Sequence, residues 1–279
     1  MNTESTAGTV PVHYQIADAI RARIAAGELV PGDSIPTIEE LAQQWRCSAG
    51  SARSALGVLR GEGLITAGRG RAATVRQPPQ RIRLPYTYGQ QQKDAVLLPE
   101  AERSKAGAIE LTAGISIEDT ESTYHYSVIE ASPDLAEEFS VPPGTELLRR
   151  EYEMTDPKTG YRLSLSTSYI PKFLIEPNPD LLDEKNEPWP GGHQHQLYTV
   201  GIELDHIVRS VIALEPTPGT RQRWGMETGV PLLRVRSRSI DTTDRVVELS
   251  DATYPADRTE LEFTEQLTRW PDDYPKYAR

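Results

Sequence analysis

At 279 residues, the chain is long enough for two domains of roughly 100 to 200 residues each. Its content of 37% apolar and 25% charged residues excludes a chain that is disordered throughout. No apolar run reaches the roughly 18 residues of a membrane helix, and the first residues lack the pattern of a secretion signal, so we expect a cytoplasmic protein with no membrane partner. The single cysteine, Cys47, excludes an intramolecular disulfide and a cysteine-based metal cluster.

The net charge of −11 is unevenly distributed along the chain. Residues 1–76 contain eight basic and seven acidic side chains and carry a charge of +1, which leaves −12 for the remainder. Five of these basic side chains lie close together in the sequence: Arg46, Arg53, Arg60, Arg69 and Arg71. A locally basic surface on an acidic protein predicts contact with nucleic acid through that surface alone.

Two amphipathic helices are predicted near the start of the chain. Ile16, Ile20 and Ile24 recur every four residues and define one apolar helix face, and Gly27 suits the end of that helix. After a turn rich in Pro and Gly, "TIEELAQQWR" places apolar residues at helical spacing and predicts a second, shorter helix. Its expected N-cap is Thr37, followed three residues later by a glutamate.

A third helix is predicted from an N-cap at Ser48 to the glycines at 61–63. One face of it is apolar: Ala52, Ala55, Leu56 and Leu59. The other face combines small residues with arginine and suits close approach to another molecule: Gly50, Arg53, Ser54, Gly57 and Arg60. The following "LITAGRGRAATV" predicts a β-hairpin with arginines at its tip, so the order of elements is that of a winged helix-turn-helix.

The rest of the chain predicts an α+β domain. Residues 77–94 are rich in Pro and Gln and indicate an interdomain linker. Six strand-like runs follow, and together with the helix "SPDLAEEF" they favour a mainly antiparallel sheet: "STYHYSVIEA", "TELLRREYEMT", "YRLSLSTSYIP", "HIVRSVIALEP", "PLLRVRSRSID" and "VVELSDATYP". Residues 176–196, rich in Pro, Gly and acids, predict an exposed loop with little regular structure.

These boundaries divide the chain into five parts. We expect a disordered start, a winged helix-turn-helix domain, the linker, an α+β domain and a C-terminal tail: 1–10, 11–76, 77–94, 95–265 and 266–279.

Both folded parts resemble a known family. The residues "PVHYQIADAIRARIAAGELVPGDSIPTIEELAQQWRCSAGSARSALGVLRGEGLI" resemble the winged helix-turn-helix of GntR-family bacterial transcription regulators, including the family's Gly-Glu-Leu-x-Pro-Gly-Asp turn. The runs "LLRREYEMTDPKTGYRLSLSTSYIP", "ALEPTP" and "GVPLLRVRSRSIDTTDRVVELSDATYPADRTELEF" resemble the chorismate-lyase-like UTRA effector-binding domain of the HutC subfamily. The resemblance implies a homodimeric repressor that binds an inverted-repeat operator in double-stranded DNA. It also implies a small polar or anionic effector of unknown identity, with no cofactor and no metal.

The family resemblance also implies which residues meet DNA, with the third helix in the major groove and the wing over the minor groove. These are Thr37, Ser48, Ala49, Ser51, Arg53, Arg60, Arg69, Gly70 and Arg71. The sequence departs from the family pattern at Ala49 and Glu39, where arginines are usual, and at Ala72, the usual second glycine of the wing. We therefore expect a changed operator, with Arg46, Arg60 and Arg69 supplying replacement phosphate contacts.

For the effector site, the candidates are polar residues on the predicted strands: Arg150, Tyr152, Ser166, Ser168, Arg236, Glu248 and Tyr254. Alternation in "YRLSLSTSYIP" places its serines on one face, which is either a cavity wall or a solvent-exposed surface. The arginines either hold an anionic group of the effector or pair with acidic neighbours. Ser166 stands where related sugar-phosphate sensors tend to have an acid, which argues against a phosphorylated amino sugar.

Two other classes of function are weighed against a regulator. The first is a chorismate-lyase-like enzyme with an appended DNA-binding head, which the presence of that head argues against. The second is a structural or interaction protein that recruits a partner through the linker and the acidic tail "WPDDYPKYAR". The "HQH" sequence at residues 193–195 hints at metal, but two histidines without a third ligand are expected to be solvated.

Overall fold

The structure is a computed structural model. It describes residues 10–66, 72–77, 81–86, 88–104, 121–265 and 267. The predicted disordered start (1–10) and C-terminal tail (266–279) therefore lie almost entirely outside the described residues. The same is true of Arg69, Gly70 and Arg71, the predicted DNA contacts at the wing tip.

Three helices form the first domain, as predicted: α1 (Val12–Ala25), α2 (Ile38–Gln44) and α3 (Ala49–Gly61). The apolar faces predicted from the helical spacing meet in one core. Its largest members come from all three helices and from the chain around them: Ile16, Ile20, Ile35, Leu41, Leu56, Leu59 and Ile65. Burial of these side chains at roughly 1.5 to 3 kcal/mol each is the main stabilising contribution to a domain of this size.

The predicted helix ends are confirmed. The Thr37 hydroxyl accepts a hydrogen bond from the Glu40 amide while the Glu40 carboxylate accepts one from the Thr37 amide, which is a capping box. At α3, the Ser48 hydroxyl accepts a hydrogen bond of 3.1 Å from the Ser51 amide. Gly27 has a φ of +74° just after α1, a conformation that favours glycine.

The arms of the predicted hairpin are also present. Ile65 and Val75 form an antiparallel bridge, and the Thr66 amide donates to the Thr74 carbonyl at 2.9 Å. These contacts pack the hairpin against the core of the helices. The first domain is therefore a winged helix-turn-helix.

The second domain is built on a six-stranded antiparallel sheet, in agreement with the predicted α+β class. All six strands coincide closely with the predicted runs: β2 (Glu121–Glu130), β3 (Glu146–Thr155), β4 (Arg162–Pro171), β5 (Leu204–Leu214), β6 (Leu232–Asp241) and β7 (Val246–Pro255). Their order in the sheet is β2-β3-β4-β7-β6-β5. Because side chains alternate between the two faces, each strand contributes to both.

One face of this sheet is covered by apolar packing. The predicted helix "SPDLAEEF" is α6 (Pro133–Phe139), and its Phe139 packs with Leu147 and Leu249 from the sheet. On the same face of the sheet, Trp224 follows the short helix α9 (Pro218–Arg223) and packs with Leu232 at the start of β6. The other face lines a cavity, described below.

The segment predicted as a linker is partly folded onto the second domain. Strand β1 (Ile82–Pro85) pairs in parallel with β8 (Thr259–Glu262), and helix α4 (Tyr88–Ala95) contacts α8 (Gly192–Tyr198). A further short helix, α5 (Glu100–Arg103), follows α4. Parallel pairing of strands that are far apart in the sequence leaves no local pattern, which explains the difference from the prediction.

The prediction of an irregular exposed loop over 176–196 is wrong. The region after β4 contains helix α7, two short 3-10 helices and the start of α8: Lys172–Ile175, Pro179–Leu182, Glu184–Asn186 and Gly192–Tyr198. Leu181 and Leu197 anchor it by packing against Leu148 and Val247 of the sheet. These few apolar side chains fix a segment whose composition is otherwise typical of a loop.

Candidate DNA-binding surface and effector cavity

Helix α3 presents a narrow, exposed outer face. Its exposed residues, with the preceding cap, are Ser48, Ala49, Gly50, Arg53, Ser54 and Gly57. Only Arg53 among them has a long side chain. A Cβ added at Gly57 would meet no atom within 4 Å, so another molecule can approach the helix backbone closely there. The exposed N-terminus of α3, where Ser48 caps the Ser51 amide, adds a favourable position for phosphate.

The other predicted DNA contacts that the structure describes are less exposed or already make hydrogen bonds within the protein. The Thr37 hydroxyl is engaged in the capping box of α2, and the Ser51 hydroxyl lies 3.0 Å from that of Ser48. Arg60 is half-buried, and its Nε has no hydrogen-bond partner among the described residues. Contact with DNA at these positions stays a prediction.

Positive charge on this surface is not cancelled by the acid nearest to it. Glu62, the acid that follows α3, accepts two hydrogen bonds from Arg21 of α1, at 2.6 and 3.0 Å. Arg46 and Arg53 are exposed, and neither has an ion pair with a described residue. The outer face of α3 therefore carries net positive charge, as nucleic-acid contact requires.

The face of the sheet opposite α6 forms one wall of a cavity of about 480 Å³, a size typical of sites for small molecules. Six of the seven predicted effector residues lie in its wall: Arg150, Tyr152, Ser166, Ser168, Glu248 and Tyr254. The cover opposite the sheet comes from β1, α4, β8 and the 187–196 segment: Ile82, Leu84, Gln92, Glu187, Trp189, His193, Gln196 and Thr259. The serine face of β4 is thus part of the cavity wall.

Arg150 and Glu248 form a buried ion pair in the floor of this cavity. Arg150 Nη2 donates to Glu248 Oε1 at 2.7 Å, and Nε and Nη2 also donate to the Ser168 hydroxyl. Arg150 Nη1 donates to Gln196 Oε1 at 2.6 Å. Burial by itself would raise the pKa of Glu248, but His193, Arg150 and two serine hydroxyls hold it below its ordinary value.

Arg236 is a correction to the predicted effector set, because it lies on the opposite face of the sheet. Its Nε and Nη2 donate to the Asp251 carboxylate at 2.9 and 2.7 Å, and Nη1 lies 3.4 Å from Glu138 of α6. The hydrogen bond with Asp251 raises the pKa of Arg236. For this arginine, pairing with acidic neighbours is the correct interpretation.

Several cavity residues were not predicted from the sequence. Glu187 accepts hydrogen bonds from the hydroxyls of Tyr126 and Tyr152, at 2.5 and 3.0 Å. His193 is half-buried as a side chain, with Nε2 3.3 Å from Glu248 Oε2, and burial lowers its pKa. The "HQH" sequence was the only sign of this residue, and it was interpreted as solvated.

The two histidines of this sequence have different environments. His195 Nδ1 accepts a hydrogen bond of 2.9 Å from the Trp189 indole, whereas His193 faces the cavity. Within the part of the chain that the structure describes, no group of three His, Cys, Asp or Glu side chains is arranged to hold a metal ion.

The two domains contact each other at the end of α3. Arg76, after the wing, pairs with Asp257 of the second domain, and both side chains are largely buried. Although burial opposes it, hydrogen bonds from Arg76 and Arg258 lower the pKa of Asp257. The Gly229 backbone packs against Gly61, so closely that an added Cβ would lie 1.4 Å from the Gly61 carbonyl oxygen.

Comparison with protein families agrees with this architecture. Residues 13–75 match the sequence model of the bacterial regulatory proteins of the gntR family, and residues 118–260 match that of the UTRA domain. The chain belongs to the GntR family. It is a DNA-binding transcriptional regulator with a UTRA effector-binding domain, and the family's members are regulators, which leaves the enzyme alternative without support.

Individual relatives are consistent with this membership. The chain is 24% identical to an uncharacterised HTH-type transcriptional regulator of Streptomyces coelicolor over 258 residues, 91% of this chain and 87% of the relative. It is 36% identical to the transcriptional repressor NagR of Bacillus subtilis over 69 residues, 25% and 28% of the two chains. A crystal structure of a GntR-family regulator matches the fold with a TM-score of 0.70 at 22% identity, covering 92% of this chain and 98% of that one.

The described part of this GntR-family chain contains no helix long and apolar enough to cross a membrane.

Proposed function

We propose that this GntR-family regulator is a cytoplasmic, homodimeric repressor that binds an inverted-repeat operator, and that a small molecule in the cavity changes its affinity for that operator. The observation that carries the proposal is that one chain joins an exposed, positively charged α3 face to a domain with a cavity whose mainly apolar wall includes buried polar side chains. Effector contacts are assigned to Arg150, Tyr152, Ser166, Ser168, Glu248 and Tyr254.

The open edge of β5 supports a dimer. Strand β5 lies at one end of the sheet, and its exposed residues include Val208, Val211 and Ile212, the last 44% exposed. No strand among the described residues pairs with the outer edge of β5, and a strand edge of this kind with apolar side chains favours association with another chain. A second copy related by a two-fold axis covers the same edge on both protomers and matches the symmetry of an inverted repeat.

A short turn connects the cavity to the DNA-binding domain. Tyr254 at the end of β7 and Thr259 at the start of β8 both line the cavity. Asp257 lies between them and pairs with Arg76 of the first domain. A ligand that binds one arrangement of this turn better than another would shift the position of the DNA-binding domain, and only such differential binding can change operator affinity.

Selection of the full-length protein against a random DNA pool at moderate salt tests the proposal. We expect enrichment of a short inverted repeat whose central bases differ from the usual family operator, since Ala49 and Glu39 replace arginines. Salt-sensitive binding to all sequences without enrichment would contradict operator recognition by this protein alone.

A further inference from the structure

The cavity contains a buried carboxamide whose hydrogen bonds are unmet. The side chain of Gln92, on α4, is 1% exposed and lies in the cavity wall. Neither its Oε1 nor its Nε2 has a hydrogen-bond partner among the described residues. The carboxamide lies over Gly192 at the start of α8, where an added Cβ would be 3.0 Å from Nε2. A buried amide is costly unless a donor and an acceptor are supplied to it, and the cavity is the place from which they can come.

Two more polar atoms of the cavity wall share this property. His193 Nε2 and the Ser122 hydroxyl are both buried, and neither makes a hydrogen bond of good geometry with a described residue, although His193 Nε2 lies 3.3 Å from Glu248 Oε2. Burial lowers the pKa of His193 and so favours its neutral imidazole, which offers one donor and one acceptor. Arg209 Nε is on the same footing, but its guanidinium stacks on the Tyr86 ring, 4.8 Å from the ring centre. Apart from this arginine, the cavity groups that lack a hydrogen-bond partner among the described residues are neutral.

The charges of the wall do not favour an anion. Two arginines line the cavity, Arg150 and Arg209, with three glutamates, Glu153, Glu187 and Glu248. Because Glu153 also pairs with Arg162, the wall together with that partner carries no net charge. The guanidinium of Arg150 is already engaged through Nε, Nη1 and Nη2 with described side chains. An anion that bound Arg150 would have to displace these contacts, whereas an uncharged ligand leaves them intact.

The remaining wall offers flat and apolar surface to the body of a ligand. It includes Trp189, Tyr124, Leu84, Leu163 and Ile207. Aromatic and aliphatic walls with a few placed polar groups are typical of sites that hold a ring or chain by contact and orient it by hydrogen bonds.

We propose that the cavity binds an uncharged molecule that carries a neighbouring hydrogen-bond donor and acceptor, as in a carboxamide or lactam, and that this pair meets the Gln92 side chain. The inference rests on the proposed function, since it specifies the ligand class of the same effector site. Gln92 belongs to α4, in the segment that joins the DNA-binding domain to the second domain. A ligand that bound the Gln92 side chain would therefore contact this connecting segment directly.

Matched fragments test the proposal without DNA. Benzamide against benzoate, and nicotinamide against nicotinate, are titrated into the full-length protein and followed by ligand-observed NMR. We expect each amide to bind at least tenfold more tightly than its acid. In Gln92→Leu the advantage should disappear, while the melting temperature is unchanged or raised because an unpaired buried amide is removed.

Gln194→Leu is the matched control. Gln194 is also a buried glutamine of this region, but its Nε2 donates to the Gly89 carbonyl at 2.6 Å and it does not line the cavity. This variant should lower the melting temperature and keep the preference for amides. A Gln92→Glu variant should instead favour benzamidine over benzamide, because a carboxylate accepts two hydrogen bonds from an amidinium.

The proposal is overturned if the acids bind more tightly, if neither amide binds, or if Gln92→Leu keeps the preference for amides. These outcomes are separable from those of the DNA selection, which uses no fragment. An enriched operator without amide binding would contradict the ligand class alone, and amide binding through Gln92 without an enriched operator would contradict operator recognition alone.

Discussion

The imidazole of His193 faces Glu248, Arg150 and Arg209, and burial holds its pKa below the ordinary value of 6.5. The unfolded chain therefore takes up this proton at a higher pH than the folded protein. The stability that depends on neutral His193 is complete above about pH 6.5 and is lost as the pH falls towards the folded-state pKa.

We predict that the free energy of unfolding decreases less between pH 7.5 and 5.5 in His193→Gln than in the wild type. The slopes of the two pH profiles of the free energy of unfolding can differ by at most about 1.4 kcal/mol per pH unit, the value for one proton. Urea unfolding at a series of pH values measures it. Parallel pH profiles for the two proteins would show that the folded state does not disfavour the protonated imidazole.

Arg53 gives a second prediction at the residue scale. It is exposed on α3 and has no ion pair with a described residue, so Arg53→Gln should weaken operator binding by about 1 to 3 kcal/mol, or about five- to 150-fold, if it contacts a base. If it contacts phosphate, the slope of the logarithm of the binding constant against the logarithm of the salt concentration should decrease by about one instead. Fluorescence anisotropy over a range of salt distinguishes the two, with Lys158→Gln in the exposed β3–β4 turn as the control. Equal losses in both variants would mean that only overall charge matters.

The sequence could not separate Arg150 from Arg236. Both lie on strands and both have acidic neighbours, but alternation assigns a side chain to a face without saying which face is enclosed. Only the strand order and the cover from the 187–196 segment place Arg150 in the cavity and Arg236 beside α6.

Two glycines, one inside a helix and one in a turn, should respond oppositely to alanine. Gly57 lies inside α3 and faces open space, so Gly57→Ala should raise the free energy of unfolding by about 0.5 to 1 kcal/mol. Gly229 has a φ of +85° and packs against Gly61, so Gly229→Ala should destabilise the protein and separate the two domains. Thermal unfolding measures the first effect and small-angle scattering the second. A Gly229→Ala variant with wild-type stability and dimensions would contradict the domain contact.

Elements with strong local patterns could be predicted and those held by distant contacts could not. The strands β2 to β7 are strand-like runs separated by turn signals, and the caps at Thr37 and Ser48 have specific residue types, so their positions agree with the prediction. Strand β1 depends on β8 at the far end of the chain, and α8 depends on Leu197 packing against the sheet. For this reason the prediction missed the cover of the cavity while it found most of its floor.

At the scale of the whole molecule, the exposed edge of β5 gives a prediction for the assembly. A charge placed among apolar side chains at a dimer interface is costly, so Val211→Glu should shift the protein to monomers and weaken operator binding at least tenfold. Analytical ultracentrifugation measures the first effect. A control, Val128→Glu, places the same charge at an exposed valine of β2, the opposite edge strand. If only the control became monomeric, the interface would lie at β2.

The number of chains bound to one operator shows directly whether the protein acts as a dimeric regulator. The selected inverted repeat and a duplex with only one half-site are each titrated with the full-length protein and analysed by native mass spectrometry. We predict two chains on the complete repeat and binding at least a hundredfold weaker to the half-site, because two α3 helices must meet two major-groove sites at once. One chain per duplex, with equal affinity for both DNAs, would contradict a dimeric regulator.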